Sequence, residues 1–411
     1  MKAKDYIAMN VYWFGLAFLW NALHPIVLPA LLLRYVPGSL KNTILGAMTF
    51  VGLVLAMVIQ PLAGALSDRT AARWGRRRPW MLFGTLGSLI FLALMALAGN
   101  LWGLVAGYLL LQLASNAAHG PAQGLIPDLV PAERRGVASG VKNLFDMGGL
   151  VVTSLVSGQL MQGDNPSLAF GIVMAVLAVA TGITLLGTRE QPLARTAESE
   201  AAKIDLRAIF RVEMGSYPAY RQLLFSRFMI LLGVYVVQSF AQYYIQDWLH
   251  MPDAAAVTGN LMAAIGVALT LLVFPAGWLS DRIGRKPLNV AAGALAALGL
   301  ALLVLAQSVT ALYLFGALIG MATGTFLSVN WALATDLIPT AEAGKYLGLS
   351  NLATAGAGAA SRLAGPLIDG LNAVLPGRFL GYPAVFLIAA ACTLTGTLLL
   401  SRIPVQRAPH K

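Results

Sequence analysis

Long apolar runs separated by short polar loops fill most of this 411-residue chain. A helix needs about 20 mostly apolar residues to cross a bilayer, and these runs reach or exceed that length. The runs do not alternate with a period of two, which disfavours the strands of a membrane barrel. Twelve helical spans are predicted, at residues 8–34, 42–67, 80–98, 102–129, 136–162, 167–188, 221–249, 256–280, 288–306, 310–337, 343–372 and 380–402.

Composition indicates a lipid environment for much of the surface. Hydrophobic residues make up 58% of the chain and charged residues 11%, whereas soluble domains carry about 25% charged residues. The net charge of +11 would fit a nucleic-acid-binding protein. The basic residues lie almost entirely in alternate loops, however, so no nucleic-acid partner is expected.

The loop charges predict an orientation. If both termini are cytoplasmic, only Arg34, Lys41 and Arg378 among the basic loop residues face the outside. Basic residues accumulate in cytoplasmic loops. The sequence therefore predicts a multi-pass protein of the plasma (inner) membrane, with cytoplasmic termini and the lipid bilayer as a partner.

One loop motif occurs twice, each time between two apolar runs. Residues 64–69 (Gly-Ala-Leu-Ser-Asp-Arg) correspond to residues 277–282 (Gly-Trp-Leu-Ser-Asp-Arg), and a Gly-Arg basic segment follows each copy. The two aspartates, Asp68 and Asp281, are 213 residues apart, about half the chain. This repeat predicts a protein of two related halves.

A second repeat supports the same division. Residues 127–148 match residues 335–356 at a constant offset of 208. Six spans therefore repeat in parallel order. The predicted domains are an N-terminal six-helix bundle at 1–189, a cytoplasmic linker at 190–220 and a C-terminal six-helix bundle at 221–411.

These motifs resemble those of the major facilitator superfamily. Residues 60–69 and 75–79 resemble the helix 2–3 region of the sucrose/proton symporters, a branch akin to the glycoside–pentoside–hexuronide cation symporters. Residues 116–121 (Asn-Ala-Ala-His-Gly-Pro) resemble the helix 4 signature of the same branch. That signature has an arginine where this chain has Gln123, so the charge implicated in sugar binding is missing here.

The resemblance implies an all-α polytopic membrane protein, with twelve transmembrane helices in two pseudo-symmetric six-helix bundles. It also implies a transporter rather than an enzyme, and a monomer is expected for this architecture.

The repeated loop motifs are interpreted as gates. Asp68 and Asp281 would accept hydrogen bonds from free amides at a neighbouring helix start. The arginines beside them would bridge to acids at other helix ends in one transport state and release them in the other. The alternative is that these arginines only fix the topology. The predicted gating residues are Gly64, Asp68, Arg69, Arg76, Arg77, Asp128, Gly277, Asp281, Arg282, Arg285 and Asp336.

Lys142 and Asp146 lie one helical turn apart inside the fifth span. Ionisable groups inside a membrane are costly and usually face a cavity. Counting from the turn between spans 4 and 5 places Gln123 level with Lys142, and His119 level with Asp146. Asp146 is the predicted proton carrier, tuned by Lys142 and His119. The alternative is an ion pair that only holds the two helices together.

Other polar side chains within the spans are candidate substrate ligands, each with a packing role as the alternative. Asn21 and His24 lie beside prolines that kink a helix, and Arg362 requires an acid or a substrate as partner. Arg227 is expected to snorkel towards the membrane surface. The predicted substrate-binding residues are Asn21, His24, Asn116, His119, Gln123, Lys142, Gln238, Gln242, Asn330, Trp331 and Arg362.

The leading hypothesis is a secondary active transporter that moves a small polar solute, a sugar or glycoside, by proton symport with alternating access. The sequence contains no nucleotide-binding loop and no Cys/His metal spacing. Residues 50–63 contain no acid for a sodium site, so the proton is favoured over sodium and no other cofactor is expected. Two alternatives stay open: an exporter or flippase-like carrier of amphiphiles or drugs, and a non-transporting membrane sensor, which would leave the repeated gates unexplained.

Overall fold

A computed structural model describes residues 2–162, 165–190, 217–338 and 343–404. Within these ranges the regular structure is helical and includes no strand. Eleven helices in the described part are long and apolar enough to cross a membrane. The all-α polytopic fold predicted from the sequence is confirmed.

The helices begin and end within a few residues of the predicted spans. In chain order they are α1 (Ala3–Leu32), α2 (Lys41–Asp68), α3 (Arg78–Ala96), α4 (Leu101–Leu129), α5 (Arg135–Gln162), α6 (Pro166–Gly187), α7 (Pro218–Asp247), α8 (Ala254–Ile283), α9 (Arg285–Leu303), α10 (Val309–Asp336), α11 (Ala343–Ser361, continued by Ala364–Val374) and α12 (Gly381–Ser401).

The kink expected in α1 takes the form of a wide turn. An α-helix over Ala3–Ala22 passes into a π-helical turn over Leu23–Val27 and then into a second α-helical piece, Leu28–Leu32. Pro25 and Pro29 have no amide hydrogen and so cannot support the regular hydrogen-bond ladder. A π-turn changes the azimuth of the side chains around it, and it contains His24.

Two other helices are interrupted near prolines. In α4, the segments Leu101–Gln123 and Leu125–Leu129 meet at Gly124. In α11, the two segments are separated by Arg362 and Leu363. Pro366 cannot donate to the Arg362 carbonyl, which instead accepts from the amide of residue 365 at 3.2 Å. The predicted span at 343–372 is therefore two helices, and it is not among the eleven that are long and apolar enough to cross a membrane.

The chain packs as two compact units, Met1–Ile204 with Asp253–Gly259, and Asp205–Pro252 with Asn260–Lys411. Most of the predicted linker at 190–220 lies outside the described residues. Within the first unit, α1 packs on α5 and α6, and α4 packs on α2 and α3. Within the second, α7 packs on α11 and α12, and α9 packs on α10 and α12.

Close helix approach in both units depends on small residues, as is common where lipid removes the hydrophobic drive for association. In the first unit, a Cβ added to Gly15 of α1 would lie 2.8 Å from the Ala180 Cβ of α6. In the second unit, a Cβ at Gly233 of α7 would lie 2.1 Å from the Thr393 hydroxyl of α12. These contacts fix the faces that α1 and α7 present to their neighbours.

Candidate functional site

Arg77 is the centre of a charged cluster at the ends of α2, α3 and α4. Its side chain is buried, although it carries a full charge. It pairs with Asp68 and donates from Nε to Asp128 Oδ2 at 2.9 Å. Nη1 also donates to the Gly64 carbonyl at 3.2 Å. Gly124 leaves room for the guanidinium, because a Cβ there would lie 2.6 Å from it.

Arg76 and Glu190 complete this cluster. Arg76 donates to both oxygens of Asp128, with Nε at 3.0 Å from Oδ2; this hydrogen bonding raises the pKa of the Arg76 guanidinium. Glu190 Oε2 accepts from the Arg77 amide at 2.8 Å, at the start of α3. Burial raises the pKa of the Glu190 carboxyl, against the opposing effect of the Arg77 and Arg76 amides.

Glu190 falls in the predicted linker, and its contact with the start of α3 was not predicted from the sequence. The available signal was its position just after α6, on the same predicted membrane side as the loop after α2. Glu190 accepts from the amide at this helix start, a role that the sequence had predicted for Asp68.

The second unit contains a simpler counterpart. Arg285 Nη1 donates to Asp336 Oδ1 at 2.5 Å and to the Ala332 carbonyl at 2.7 Å. Its Nη2 lies 3.7 Å from Asp281. Arg282 instead lies over the Trp278 ring, 3.9 Å from its centroid. The expected arginine–acid bridges between helix ends are thus present in both units, and their opening in another transport state stays a prediction.

The predicted glycines of the motif lie at helix crossings. A Cβ on Gly64 of α2 would approach Gly120 of α4 at 3.9 Å, and one on Gly277 of α8 would approach Ser328 of α10 at 3.3 Å. Arg69, the last residue of the first motif, is exposed.

Lys142 and Asp146 form an ion pair within α5, with Nζ 2.8 Å from Oδ2. Both side chains are partly buried, each with 27% exposure. The Lys142 ammonium also lies 4.0 Å from the centroid of the Trp13 ring of α1. Trp13 in turn packs against the His119 ring of α4 in a T-shaped arrangement, with centroids 5.2 Å apart. One tryptophan therefore connects the ion pair to the histidine predicted to act with it.

Gln60 of α2 extends this site through hydrogen bonds. Its Nε2 donates to Asn116 Oδ1 at 2.8 Å and lies 2.9 Å from His119 Nδ1. An amide nitrogen has no acceptor capacity, so Nδ1 accepts and the His119 proton resides on Nε2. With this amide orientation, His119 is neutral.

The same polar network continues along α4 to the π-turn of α1. Asn116 donates to Gln112 Oε1 at 2.9 Å, and Gln112 donates to the Tyr108 hydroxyl at 2.7 Å. That hydroxyl lies 3.0 Å from His24 Nε2, and the His24 ring stacks on Trp20. Asn116, His119 and His24, all predicted as ligands, are thus joined in one network, whereas Gln60, Gln112, Tyr108 and Trp13 were not predicted.

A second polar cluster surrounds Arg227 in the other unit. Arg227 Nε donates to Thr354 Oγ1 of α11 at 2.9 Å, and Nη1 donates to Asn330 Oδ1 of α10 at 2.7 Å. The side chain is 4% exposed, so the expectation that it snorkels is wrong. Its neighbours α10 and α11 offer acceptors inside the unit, and the guanidinium turns to them rather than to the membrane surface.

The remaining predicted ligands are distributed more widely. Asn21 donates to the Ala17 carbonyl of its own helix at 2.8 Å. Gln123 and Trp331 are exposed, and no described contact joins Gln123 to Lys142. Gln242 is buried in α7, with Gln238 partly buried one turn earlier. Arg362 occupies the junction within α11 and interacts electrostatically with Tyr235.

A multi-helical membrane fold with buried polar networks inside each unit and repeated arginine–acid clusters at helix ends defines a membrane transporter. Comparison with known proteins identifies the family. Residues 13–365 match the family model described as "MFS/sugar transport protein". The chain belongs to this family of the major facilitator superfamily. Its members are transporters of small molecules across membranes and are not enzymes.

Two relatives differ in what their names state. The human "Proton-associated sugar transporter A" is 30% identical over 213 residues, which is 46% of this chain and 28% of that protein. The "Multidrug resistance protein MdtG" of Enterobacter lignolyticus is 26% identical over 395 residues, which is 94% of this chain and 89% of that protein.

Solved structures share the fold at low identity. A D-xylose–proton symporter superposes with a TM-score of 0.72 at 18% identity, over 97% of this chain and 96% of the other. A bacterial homologue of the human lysosomal transporter Spinster superposes with a TM-score of 0.77 at 15% identity, over 99% and 98% of the two chains.

Proposed function

We propose that this chain is a proton-coupled symporter for a sugar or glycoside. In this proposal it acts as a monomer in the plasma (inner) membrane, with both termini in the cytoplasm. The observation that carries the proposal is the Lys142–Asp146 pair, which is only partly buried and connects through Trp13 to the His119–Gln60 network. The name of the human relative, a proton-associated sugar transporter, supports the same assignment.

The chemistry of the pair suits a proton carrier. Protonation of Asp146 removes the negative charge that Lys142 contacts and leaves a net charge of +1. A buried pair contributes little net stability over apolar residues, so stability alone explains its presence poorly. His119 is neutral in the described arrangement and would have to release Gln60 before its Nδ1 accepted a proton, which couples protonation to the contact between α2 and α4.

Amide and imidazole groups suit a hydroxylated solute. Gln60, Asn116, Gln112 and His24 offer donors and acceptors along one network in a single unit. Trp13 and Trp20 present aromatic faces beside it. A sugar ring pairs hydroxyl edges with an apolar face, and the network supplies partners for both.

The test is uptake into proteoliposomes across an imposed proton gradient, with a panel of labelled sugars. An inward gradient of two pH units limits accumulation to about 100-fold for one proton per solute, since each unit is worth about 1.4 kcal/mol. Asp146→Asn is expected to abolish gradient-driven accumulation and to spare exchange of labelled for unlabelled solute. Retained gradient-driven uptake in this variant would refute the assignment of Asp146.

The control for folding is the double variant Lys142→Gln/Asp146→Asn. Asp146→Asn alone leaves Lys142 partly buried without its partner, and a misfolded protein would also lose uptake. The double variant removes both charges, so it is expected to unfold at a temperature close to that of wild type while still failing to accumulate solute.

A second candidate is export of drugs or amphiphiles, favoured by the relative named for multidrug resistance that aligns over 94% of this chain. Reversing the direction of the proton gradient separates drug export from sugar symport. A drug exporter would move a lipophilic dye out of the compartment with the lower proton concentration and would not transport sugars. The symporter would accumulate a sugar and leave the dye distribution unchanged.

A further inference from the structure

The orientation of the Gln60 amide decides whether His119 can carry a charge. Gln60 Nε2 lies 2.9 Å from His119 Nδ1, and a proton on Nδ1 would place one N–H donor against another. A reversed amide would instead present its oxygen, which accepts from a protonated Nδ1. The charge of His119 therefore depends on the group that fixes the direction of the Gln60 amide.

Asn116 fixes that direction from the other side of Gln60. Its Oδ1 accepts from Gln60 Nε2 at 2.8 Å, so reversal of Gln60 would bring two acceptor oxygens together. Asn116 cannot turn to relieve the contact, because its Nδ2 donates to the backbone carbonyl of Gln112 at 2.8 Å. A carbonyl has only acceptor capacity. The backbone of α4 thus sets the direction of Asn116, and Asn116 sets that of Gln60.

Close packing of α2 on α4 keeps Gln60 in this position. A Cβ added to Gly120 of α4 would lie 2.1 Å from the Gln60 carbonyl oxygen, so the two backbones are in direct contact at this level. Asn116 is 3% exposed, and a buried polar atom that loses its partner is costly. Gln60 therefore leaves His119 only when α2 moves away from α4.

The charged groups near His119 belong to α5. Lys142 interacts electrostatically with His119, and Asp146 forms an ion pair with Lys142. The described contacts of His119 with α1 and α2 are with the neutral side chains of Trp13 and Gln60. Among the described residues, α3 makes no hydrogen bond or ring contact with His119, and no carboxylate forms an ion pair with it.

We propose that Asn116 is a positioning residue that acts through Gln60 to keep His119 neutral, with its proton on Nε2, for as long as α2 and α4 are in contact. Asn116 then acts on the histidine rather than on the solute. The inference rests on the proposed proton symport and specifies its regulation. While the two helices are in contact, Asp146 is the group of this site that takes the proton, and His119 becomes a second proton acceptor only when they separate.

The test is ¹⁵N NMR spectroscopy of the purified full-length protein with labelled histidines. A ring nitrogen that carries a proton and one that does not give separate signals. The chain contains four histidines, and the signals of His119 are identified by their loss in His119→Gln. Wild type is expected to keep Nδ1 unprotonated and Nε2 protonated from about pH 8 down to about pH 5. A proton on Nδ1 of His119 within this range would overturn the proposal.

Variants of two neighbouring side chains separate positioning from general packing. Asn116→Leu removes the acceptor that fixes Gln60, so Nδ1 of His119 is expected to bind a proton about 10- to 100-fold more tightly, the value of a hydrogen bond to a charged group. The matched control is Gln112→Leu, one turn earlier in α4. It removes a side chain of the same network but keeps the backbone carbonyl that fixes Asn116, so His119 is expected to stay neutral. Equal effects of the two substitutions, or no effect of Asn116→Leu, would refute the positioning role.

Gln60→Leu provides the same test if Asn116→Leu does not fold. It removes the donor that opposes a proton on Nδ1 and leaves the Asn116 side chain in place. His119 is expected to become charged within the same pH range, and a His119 that stays neutral would contradict the proposal.

The outcomes separate this inference from the symport on which it rests. A His119 that is charged in wild type, together with proton-driven sugar uptake that Asp146→Asn abolishes, would refute the positioning role and leave the symport. A neutral His119 that becomes charged in Asn116→Leu but not in Gln112→Leu, together with uptake that does not respond to the proton gradient, would refute the symport and leave the positioning role.

Discussion

Gly120 of α4 provides a direct test of how α2 and α4 are packed. A Cβ at this position would lie 2.1 Å from the Gln60 carbonyl oxygen and 3.1 Å from the Gly64 amide nitrogen. Both are backbone atoms of α2, so neither can move without displacing that helix. Gly120→Ala is therefore expected to force α2 and α4 apart at the point where Gln60 contacts Asn116 and His119.

The magnitude follows from a matched control, Gly171→Ala in α6. No atom lies within 4 Å of a Cβ added to Gly171. Both substitutions gain the helix preference of alanine, about 0.5–1 kcal/mol, so this gain cancels in the comparison. The remaining difference is the overpacking cost at Gly120, about 1–3 kcal/mol. For a unit of roughly 200 residues this corresponds to an unfolding temperature about 2–12 °C lower than that of the control.

The assay is thermal unfolding of the two purified variants in the same detergent, followed by uptake in proteoliposomes. Gly120→Ala is expected to unfold at lower temperature and to transport less, because Gln60 moves away from its two partners. If the two variants unfold at the same temperature, α2 and α4 are not in the described contact. The assignment of Gln60 to the polar network would then fail with it.

Two further predictions concern the cluster around Arg77. Arg77→Lys is expected to destabilise the first unit by about 1.5–3 kcal/mol, because one ammonium cannot replace a guanidinium that reaches Asp68 and Asp128 together. The control is Arg73→Lys, at an exposed position. An equal loss of thermal stability in both variants would contradict the prediction. Glu190 has a raised pKa in the folded protein, so its stabilising contribution is complete below its ordinary pKa of about 4.3 and is lost as the pH rises through the raised value. Wild type is therefore expected to lose thermal stability relative to Glu190→Gln between pH 4 and pH 8, and a constant or opposite difference would refute the burial of this carboxyl.

Sequence patterns predict the limits of the helices in this protein well, whereas the predicted sidedness stays a prediction. The length of the hydrocarbon layer sets the length of each apolar run, so the helix limits agree with the predicted spans. Acids and arginines at helix ends are confined to the same thin layer. The pairing of Arg76 with Asp128 and of Arg285 with Asp336 was therefore predictable without coordinates.

The sequence does not provide the direction in which each side chain points around the helix axis. His119 and Gln123 are four residues apart in α4, yet His119 contacts Gln60 and Gln123 is exposed. The break at Gly124 ends the regular helix just after Gln123, so a count of equal depth places the residue without fixing its direction. Trp13 could not be assigned to Lys142, because their contact depends on how α1 packs against α5.

The same limitation explains the incorrect expectation for Arg227. An arginine nearer one end of a span reaches the surface by default, unless acceptors on neighbouring helices lie closer. Thr354 and Asn330 are 127 and 103 residues away in the chain, and no local pattern brings them to Arg227. Asn330 Nδ2 makes no hydrogen bond within the described residues, and this is visible only once the packing is known.

The internal repeat gives the Lys142–Asp146 pair of the first unit and the Arg227 cluster of the second unit a common origin, but the two differ in their chemistry. At the constant offset of 208 residues, Asp146 corresponds to Thr354 and Lys142 to Ser350. In the second unit the hydroxyls bind α7, Thr354 to Arg227 and Ser350 to the Tyr220 hydroxyl at 2.8 Å. The pair in the first unit is neutral as a whole and becomes positive when Asp146 is protonated. The cluster in the second unit contains no acid among its described members, so under the proposed symport only the first of these two sites offers a carboxylate that can accept a proton.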